Sequence, residues 1–342
     1  RGGAIHLHFR RRPLRDCVLS ARHGGAPNLL PYSASKMALV AATRNMAFTL
    51  MRHRVRVNML NPGWMDTPAE DITQRRYEGA TDGWLERAEA VVAFGRDLDC
   101  ITIEIELVSV EGLRTLEQQG VRVIPKPEHL ATIQDKGLQK QFFEANGIPT
   151  APYLLIENAS EVGAMGFPIV QKMRKGGYDG KGVVVLKDEA SVDKAFTVPS
   201  VLEAAVDIDK ELSVIVARNS AGETKCFPVV ESVFDPVANL VDYLIAPAAI
   251  TAAQAAEAER VAQQVVEAMD FEGLLAVELF LDKSGNILVN EVAPRTHNSG
   301  HHTIEANVIS QFEQHLRTVL DLPLGSTAPV HAVSAMVNIV GT

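Results

Sequence analysis

The sequence is poor in cysteine and lacks long apolar runs. Its three cysteines, Cys17, Cys100 and Cys226, are far apart and form no Cys-x-x-Cys pair. This pattern argues against a disulfide framework or a cysteine-based zinc site, and it is typical of reduced thiols in a cytoplasmic enzyme. No apolar run is long enough to span a bilayer and no signal peptide is visible, so we expect no membrane partner.

The chain also lacks an excess of positive charge. It carries 42 acidic and 33 basic residues, a net charge of −9. We therefore expect no nucleic-acid partner, although a local cationic pocket is compatible with this balance. The basic run Arg10–Arg12 is not followed by an apolar region, which indicates a broken edge and not a targeting peptide. A length of 342 residues allows two domains.

Hydrophobic periodicity predicts the secondary structure in outline. The first part reads as a helix over 32–53 and a short strand over 55–60, followed by a polar stretch over 66–90 that marks a boundary. Beyond it we predict strands over 101–106, 168–173, 182–186, 211–218 and 225–230, a hairpin of 274–281 with 286–292, and helices over 134–145, 251–269 and 303–320.

Tyr32 and Lys36 form the first candidate site. They lie one turn apart on the predicted helix, where the lysine would lower the pKa of the phenol and let it exchange a proton with a carbonyl or alcohol. With His23-Gly24-Gly25 before them and Asn61-Pro62-Gly63 after them, residues 1–90 resemble the C-terminal half of a short-chain dehydrogenase.

That resemblance is incomplete. The family's glycine-rich nucleotide loop is absent, and Leu19 stands where its catalytic serine is expected. We therefore interpret Tyr32 and Lys36 as a vestigial pair, expect no hydride transfer, and expect residues 1–90 to be loosely packed and readily proteolysed. An NAD(P)-dependent oxidoreductase and an inactive chimeric product are the alternatives.

Glu278 and Glu291 form the second candidate site. On the predicted hairpin they face each other on one side of the sheet, where two carboxylates repel unless a cation lies between them. Oxygen ligands of this kind, completed by phosphates and water, suit Mg²⁺. A solvent-facing glutamate pair is the alternative.

Two further stretches point to a ligand site. Residues 176–182 contain four glycines between two predicted strands, so the backbone could turn toward an anion, although a mobile hairpin tip is the commoner case. Residues 290–302 crowd carboxylate, guanidinium and imidazole groups that a core cannot easily absorb. Zinc bound by His297, His301 and His302 is a competing hypothesis, without cysteine support.

From about residue 91 onward the chain resembles the 5-(carboxyamino)imidazole ribonucleotide synthetase family of ATP-grasp ligases. The motifs Gly-Gly-Tyr-Asp-Gly (176–180) and Asn-Glu-Val-Ala-Pro-Arg-Thr-His-Asn-Ser-Gly (290–300) carry this resemblance. It implies an α+β ATP-grasp fold, a lid plus an antiparallel-sheet domain, preceded by the incomplete α/β Rossmann-type fragment. The implied segments are 1–90, 91–130 (remnant of the preceding domain), 131–206 (lid), 207–325 (metal and nucleotide subdomain) and 326–342 (start of a truncated C-terminal domain).

The resemblance also implies roles for individual residues. Lys136 and Lys172 would contact phosphates of ATP, Glu211 would bind the ribose hydroxyls, and Mg²⁺ would lie on Glu278 and Glu291 beside Asn290. The remaining ATP-binding positions are Gly177, Tyr178, Asp179, Gly180, Lys181, Gly182 and Val183 in the loop and Glu203, Ala204, Ala205 and Val206 around adenine. Arg295 would hold bicarbonate, Tyr178, Asp179 and Lys181 would approach the ribonucleotide, and His297 and Asn298 would lie near the reacting groups.

The implied reaction is the carboxylation of 5-aminoimidazole ribonucleotide in purine biosynthesis. Bicarbonate would take the γ-phosphoryl group of ATP to give carboxyphosphate, and the exocyclic amine would capture the carboxyl group. Another ATP-grasp carboxylate–amine ligase is an alternative that Tyr178-Asp179 and His297-Asn298 disfavour. Because the family's basic C-terminal segment is missing, we expect ATP and Mg²⁺ binding to survive better than turnover. The sequence does not give the oligomeric state, but the resemblance suggests a homodimer.

Overall fold

The computed structural model describes residues 88–176, 182–234 and 241–338. These residues all belong to one unit of the chain, Asn61–Asn338. Within the described ranges, no helix combines the length and apolar character needed to cross a membrane. Residues 1–87, including the predicted helix over 32–53, lie outside them.

The first described segment is a pair of parallel strands flanked by helices. Its elements are α1 (Ala88–Gly95), β1 (Cys100–Thr102), α2 (Val110–Gln118), β2 (Arg122–Ile124) and α3 (Pro127–Ile133). The strand predicted over 101–106 is wrong beyond Thr102. The side chain of Gln134 donates to the carbonyl oxygens of Glu106 and Val108, at 2.7 and 2.8 Å, so a side chain and not a neighbouring strand satisfies this backbone.

Helix α4 (Lys136–Ala145) begins at a well-defined cap. The carboxylate of Asp135 accepts hydrogen bonds from the backbone N–H groups of Gly137 and Leu138. Arg174 donates two further bonds to the same carboxylate, at 2.9 and 2.8 Å. The start of α4 is thereby fixed to Arg174, which follows a strand of the lid, and this sets where the helix presents its lysines.

A small antiparallel sheet forms the lid. Its strands are β3 (Tyr153–Ile156), β4 (Ile169–Met173), β5 (Val183–Leu186) and β6 (Ser200–Ala204), in the order β3-β6-β4-β5. Alternation along the strands buries Ile156, Ile169, Leu186 and Leu202 on one face with Val162. Val170 lies opposite Glu203, and Lys172 lies opposite Val201, so Lys172 and Glu203 share the other face.

A seven-stranded sheet forms the larger subdomain, and all its pairings are antiparallel. Its strands are β7 (Ile208–Arg218), β8 (Thr224–Cys226), β9 (Val230–Phe234), β10 (Val241–Ala246), β11 (Gly273–Asp282), β12 (Ile287–Ala293) and β13 (Ser334–Val337). The main order is β12-β11-β7-β9-β10-β13, with β8 beside β7. The predicted hairpin of 274–281 with 286–292 is confirmed as β11 and β12.

The two faces of this sheet differ because side chains alternate along each strand. On one face, Leu212, Val214, Val277 and Leu279 pack under helix α5 (Ala252–Ala268) in the main core. The opposite face is apolar at one end, where Ile215, Ala217, Leu274, Ala276 and Ala293 are buried together. Further along the same strands this face carries Glu211, Ser213, Glu278 and Glu291.

The helix predicted over 303–320 is interrupted. The chain forms α6 (Thr303–Ala306) and α7 (Gln311–Val319), with an extended residue, Asn307, between them. Asn307 pairs with Pro329, and Ser310 caps α7 by accepting a hydrogen bond from the N–H of Glu313. The pairing with Pro329 and the Ser310 cap compete with a continuous helix, so the first helix ends after one turn.

The N-terminal cap of helix α5 provides a test of how this helix is stabilised. The hydroxyl of Thr251 accepts a hydrogen bond from the N–H of Gln254 at 3.2 Å, and the side-chain oxygen of Gln254 accepts one from the N–H of Thr251 at 2.9 Å. Replacing Thr251 with Ala should lower the free energy of unfolding by about 1 kcal/mol, because the N–H loses its acceptor. Urea denaturation measures this, and Thr251→Ser, which keeps the hydroxyl, is the matched control. Equal losses in both variants would contradict the capping role.

Candidate functional site

Glu278 and Glu291 are direct partners across β11 and β12, as the hairpin predicts. Their side chains are 27% and 35% exposed, so neither carboxylate is fully solvated. The strand register shifts between Glu278 and Leu279, which leaves Asn290 as an extra residue in β12. This bulge allows the consecutive side chains of Asn290 and Glu291 both to reach the site.

Each carboxylate has a cationic or polar neighbour. Lys136, the first residue of α4, forms an ion pair with Glu291. Its ammonium group lowers the pKa of Glu291 to about 2, against the opposing effect of burial. Burial lowers the pKa of Lys136, but the Glu291 carboxylate outweighs it and the net shift is upward. Nε2 of His297 lies 3.2 Å from Glu278 Oε1, and the Asn290 amide lies 3.5 Å from Glu278 Oε2.

The donor set fits a hard cation that is completed by other ligands. In the part of the chain that the structure describes, no three or more His, Cys, Asp and Glu residues are grouped to hold a metal ion. Two opposed carboxylates supply two oxygen ligands, which suits Mg²⁺ with phosphate and water completing the shell.

The zinc hypothesis is wrong. His297 contacts Glu278 and Ser299, whereas the ring of His301 stacks on Phe312 with 5.8 Å between centroids. His302 is buried, and the three imidazoles do not form one donor set.

Lys172 reaches the same site from the lid. Its Nζ donates to Asn290 Oδ1 at 2.7 Å and lies 3.0 Å from Glu203 Oε1. The Glu203 side chain is 3% exposed, so its charge requires close partners. Glu203 and Ala204 end β6, and Ala205 and Val206 follow directly.

Lys140 is a residue that the sequence reasoning missed. Its Nζ lies 3.3 Å from Glu203 Oε2 and donates to Thr150 Oγ1 at 2.6 Å, with 3% of the side chain exposed. Burial lowers its pKa to about 8, and the nearby Glu203 carboxylate partly offsets this shift. Its spacing of four residues from Lys136 was the available signal, since such residues share a helix face.

Glu211 lies on the face of β7 that also carries Ser213. It lines a pocket together with Glu278, Asn290, His297 and Asn298. Phe234 and Val241 contribute apolar walls. Burial and the neighbouring Glu278 carboxylate raise the pKa of Glu211 to about 7. The pocket therefore combines an apolar side with groups that can accept hydrogen bonds.

Arg295 and Asn298 follow the hairpin. Arg295 Nε lies 2.7 Å from Glu106 Oε2, and Arg295 also donates to the carbonyl of Thr296 at 3.0 Å. Asn298 donates to Asn338 Oδ1 at 3.1 Å. Glu106 is a second residue that the sequence reasoning missed, because nothing in its local pattern indicates a contact with a residue so distant in the chain.

Several predicted site residues lie outside the described residues: Gly177, Tyr178, Asp179, Gly180, Lys181, Tyr32 and Lys36. The predicted strands on either side of the glycine loop are present as β4 and β5, and they pair with each other. Gly182 closes their connection, with its carbonyl accepting from Met173 at 2.8 Å, and Val183 begins β5. The expectation of no hydride transfer by residues 1–90 stays a prediction.

Two family models match the chain. The ATP-grasp domain matches residues 141–312. A model described as Enoyl-(Acyl carrier protein) reductase matches residues 18–100.

Known proteins match over most of the chain. N5-carboxyaminoimidazole ribonucleotide synthases from Synechococcus elongatus and Brucella melitensis are 40% and 38% identical to it, over 74% and 80% of the chain and 66% and 76% of their own lengths. The chain thus spans slightly less than two thirds of the Synechococcus protein. The crystal structure of N5-carboxyaminoimidazole synthase from Aspergillus clavatus in complex with ADP and 5-aminoimidazole ribonucleotide superimposes with a TM-score of 0.73, at 29% identity, over 87% of this chain and 79% of that one.

These matches confirm the predicted fold class and the predicted family. The lid sheet and the opposed glutamates lie within residues 141–312, which the ATP-grasp model matches. The chain belongs to the ATP-grasp family and, within it, to the N5-carboxyaminoimidazole ribonucleotide synthases.

Proposed function

We propose that this protein carboxylates 5-aminoimidazole ribonucleotide to 5-(carboxyamino)imidazole ribonucleotide, using ATP and bicarbonate, in de novo purine biosynthesis. The observation that carries the proposal is the meeting of an opposed glutamate pair with lysines from two other elements. The Aspergillus relative, which holds ADP and 5-aminoimidazole ribonucleotide, supports the choice of nucleotide and substrate.

The nucleotide would lie between the lid and the large sheet. Lys136 and Lys172 would each exchange a protein oxygen for a phosphate oxygen, Glu211 would accept hydrogen bonds from the ribose, and residues 203–206 would line adenine. Glu278 and Glu291 would hold Mg²⁺, which when bound neutralises charge on the phosphoryl group being transferred. The site residues therefore act mainly by positioning and electrostatic stabilisation.

The substrate side of the site is formed by the segment after β12. Arg295 would bind bicarbonate while Glu106 fixes the orientation of its guanidinium group. His297 and Asn298 would lie beside the reacting groups, and Tyr178, Asp179 and Lys181 would approach the ribonucleotide.

We also propose that the protein is cytoplasmic and forms a homodimer.

Replacing Glu291 with Gln should abolish the reaction. The amide is a poor ligand for Mg²⁺ and leaves Lys136 without its carboxylate, so we expect ADP formation to fall by ~100-fold or more. The measurement is ADP release with Mg-ATP and bicarbonate, with and without 5-aminoimidazole ribonucleotide. Glu257→Gln, on the exposed surface of α5, is the matched control. Ribonucleotide-stimulated turnover that persists in Glu291→Gln would refute the proposed metal site.

Glu211 should make stability depend on pH. Its pKa is raised to about 7, so the folded state binds the proton more tightly and stability falls as pH rises from about 4.5 to about 7. Glu211→Gln should therefore raise the free energy of unfolding at pH 8 by on the order of 1–3 kcal/mol, and by less at pH 5.5. Urea denaturation at both pH values tests this. An equal change at both values would contradict it, and weaker ADP binding by the variant would fit the ribose role.

A further inference from the structure

Lys140 lies in a closed ring of hydrogen bonds and ion pairs behind the lysines of the candidate site. On one side, its Nζ donates to Thr150 Oγ1 at 2.6 Å, and that hydroxyl donates to the carbonyl of Val289 at 2.8 Å. Val289 immediately precedes Asn290, the extra residue of the bulge. This arm connects α4 to the strand that carries Glu291.

The other arm passes through the lid. Lys140 Nζ lies 3.3 Å from Glu203 Oε2, and the second oxygen of Glu203 lies 3.0 Å from Lys172 Nζ. Lys172 then donates to Asn290 at 2.7 Å, which closes the ring on β12. The ring thus joins α4, the lid sheet and the large sheet at the point where nucleotide phosphates are proposed to bind.

The charges in the ring are unequal. Two ammonium groups, from Lys140 and Lys172, share the single carboxylate of Glu203, and all three side chains are at most 9% exposed. A buried carboxylate held by one lysine alone would draw that lysine toward itself. With Lys140 as its second partner, Glu203 holds Lys172 without neutralising it fully, and these three side chains together keep one net positive charge.

We propose that Lys140 is a positioning residue of the nucleotide site. It holds Glu203 in place, so that the ammonium group of Lys172 stays directed at a phosphate group of the nucleotide. This inference rests on the proposed function, because it assumes that Lys172 contacts the nucleotide. Lys140 does not itself touch the nucleotide in this arrangement.

The ionisation of Lys140 gives the proposal a pH signature. The charged groups that face it are Glu203 from β6, Lys172 from β4 and Glu291 from β12. The pKa of Lys140 is lowered to about 8, chiefly by burial. As pH rises through this value the ring loses one positive charge, and affinity for an anionic nucleotide should fall.

Equilibrium binding of MgADP, measured by titration calorimetry at pH 7 and pH 9, tests the proposal on the whole chain. Lys140→Met should bind about tenfold more weakly than wild type at pH 7, the loss expected when a charge-assisted interaction is removed. Lys140→Arg stays charged at both pH values, so it should bind as wild type does at pH 7 and lose less affinity at pH 9. The double variant Lys140→Met/Glu203→Gln should bind no more weakly than Lys140→Met, because both changes break the same arm.

Two controls separate the possible outcomes. Thr150→Val breaks the other arm and should lower stability to urea while leaving MgADP affinity within about threefold of wild type. Lys172→Met tests the assumption: if MgADP binding is unchanged in it, the proposed nucleotide site fails. If Lys172→Met loses binding and Lys140→Met does not, the nucleotide site stands and the positioning role of Lys140 is overturned. If Lys140→Met does not fold, the pH profiles of wild type and Lys140→Arg decide, and identical profiles overturn the proposal.

Discussion

Glu278 and Glu291 face each other on one half of a sheet face, and two partly buried carboxylates in this arrangement need positive charge beside them. The fold provides positive charge and hydrogen-bond partners from elsewhere in the chain. Lys136 of α4 pairs with Glu291, His297 of the segment after β12 contacts Glu278, and Lys172 of the lid donates to the neighbouring Asn290. The relative placement of the helix, the lid and the large sheet is therefore linked to one local electrostatic requirement.

The large sheet makes this arrangement possible because its strands are buried unequally. One face is apolar over the central strands, where Leu212, Val214 and Val277 are buried with α5. The other face is apolar where Ile215, Ala276 and Ala293 are buried, and it becomes polar two residues further along each strand. Packing holds the strands in place in the apolar half, and the same paired strands continue into the polar half. A bulge at Asn290 then adds one more side chain to the site.

The same arrangement explains how the site can accept a nucleotide. Its lysines already neutralise carboxylates, so phosphates and a divalent cation would enter by exchanging partners with groups that are in position. Glu203 and Lys140 are almost completely buried, and Glu203 contacts the lysine Lys172 that would take part in this exchange. Such preorganisation suits phosphoryl transfer, in which positioning and charge stabilisation account for most of the protein's contribution.

The sequence alone determined those features that depend on local pattern. The hairpin tip predicted at 283–286 placed Glu278 opposite Glu291, and the helix predicted over 251–269 agrees with α5 to within a residue at each end. The motifs over 176–180 and 290–300 identified the family. Local pattern misled where a distant group competes for the backbone. Gln134 binds the carbonyl of Glu106, where the strand was predicted to continue, and Asn307 pairs with Pro329 within the helix predicted over 303–320.

The tertiary structure alone decided which charges meet. Lys140 and Glu203 are separated by 63 positions in the chain, as are Glu106 and Arg295 by 189, and both pairs form an ion pair. No periodicity encodes such contacts, because they arise when whole elements pack and each buried charge must find a partner within reach. The sequence therefore specified the carboxylate pair and the family, and the packing of α4, the lid and the large sheet specified the lysines that accompany it.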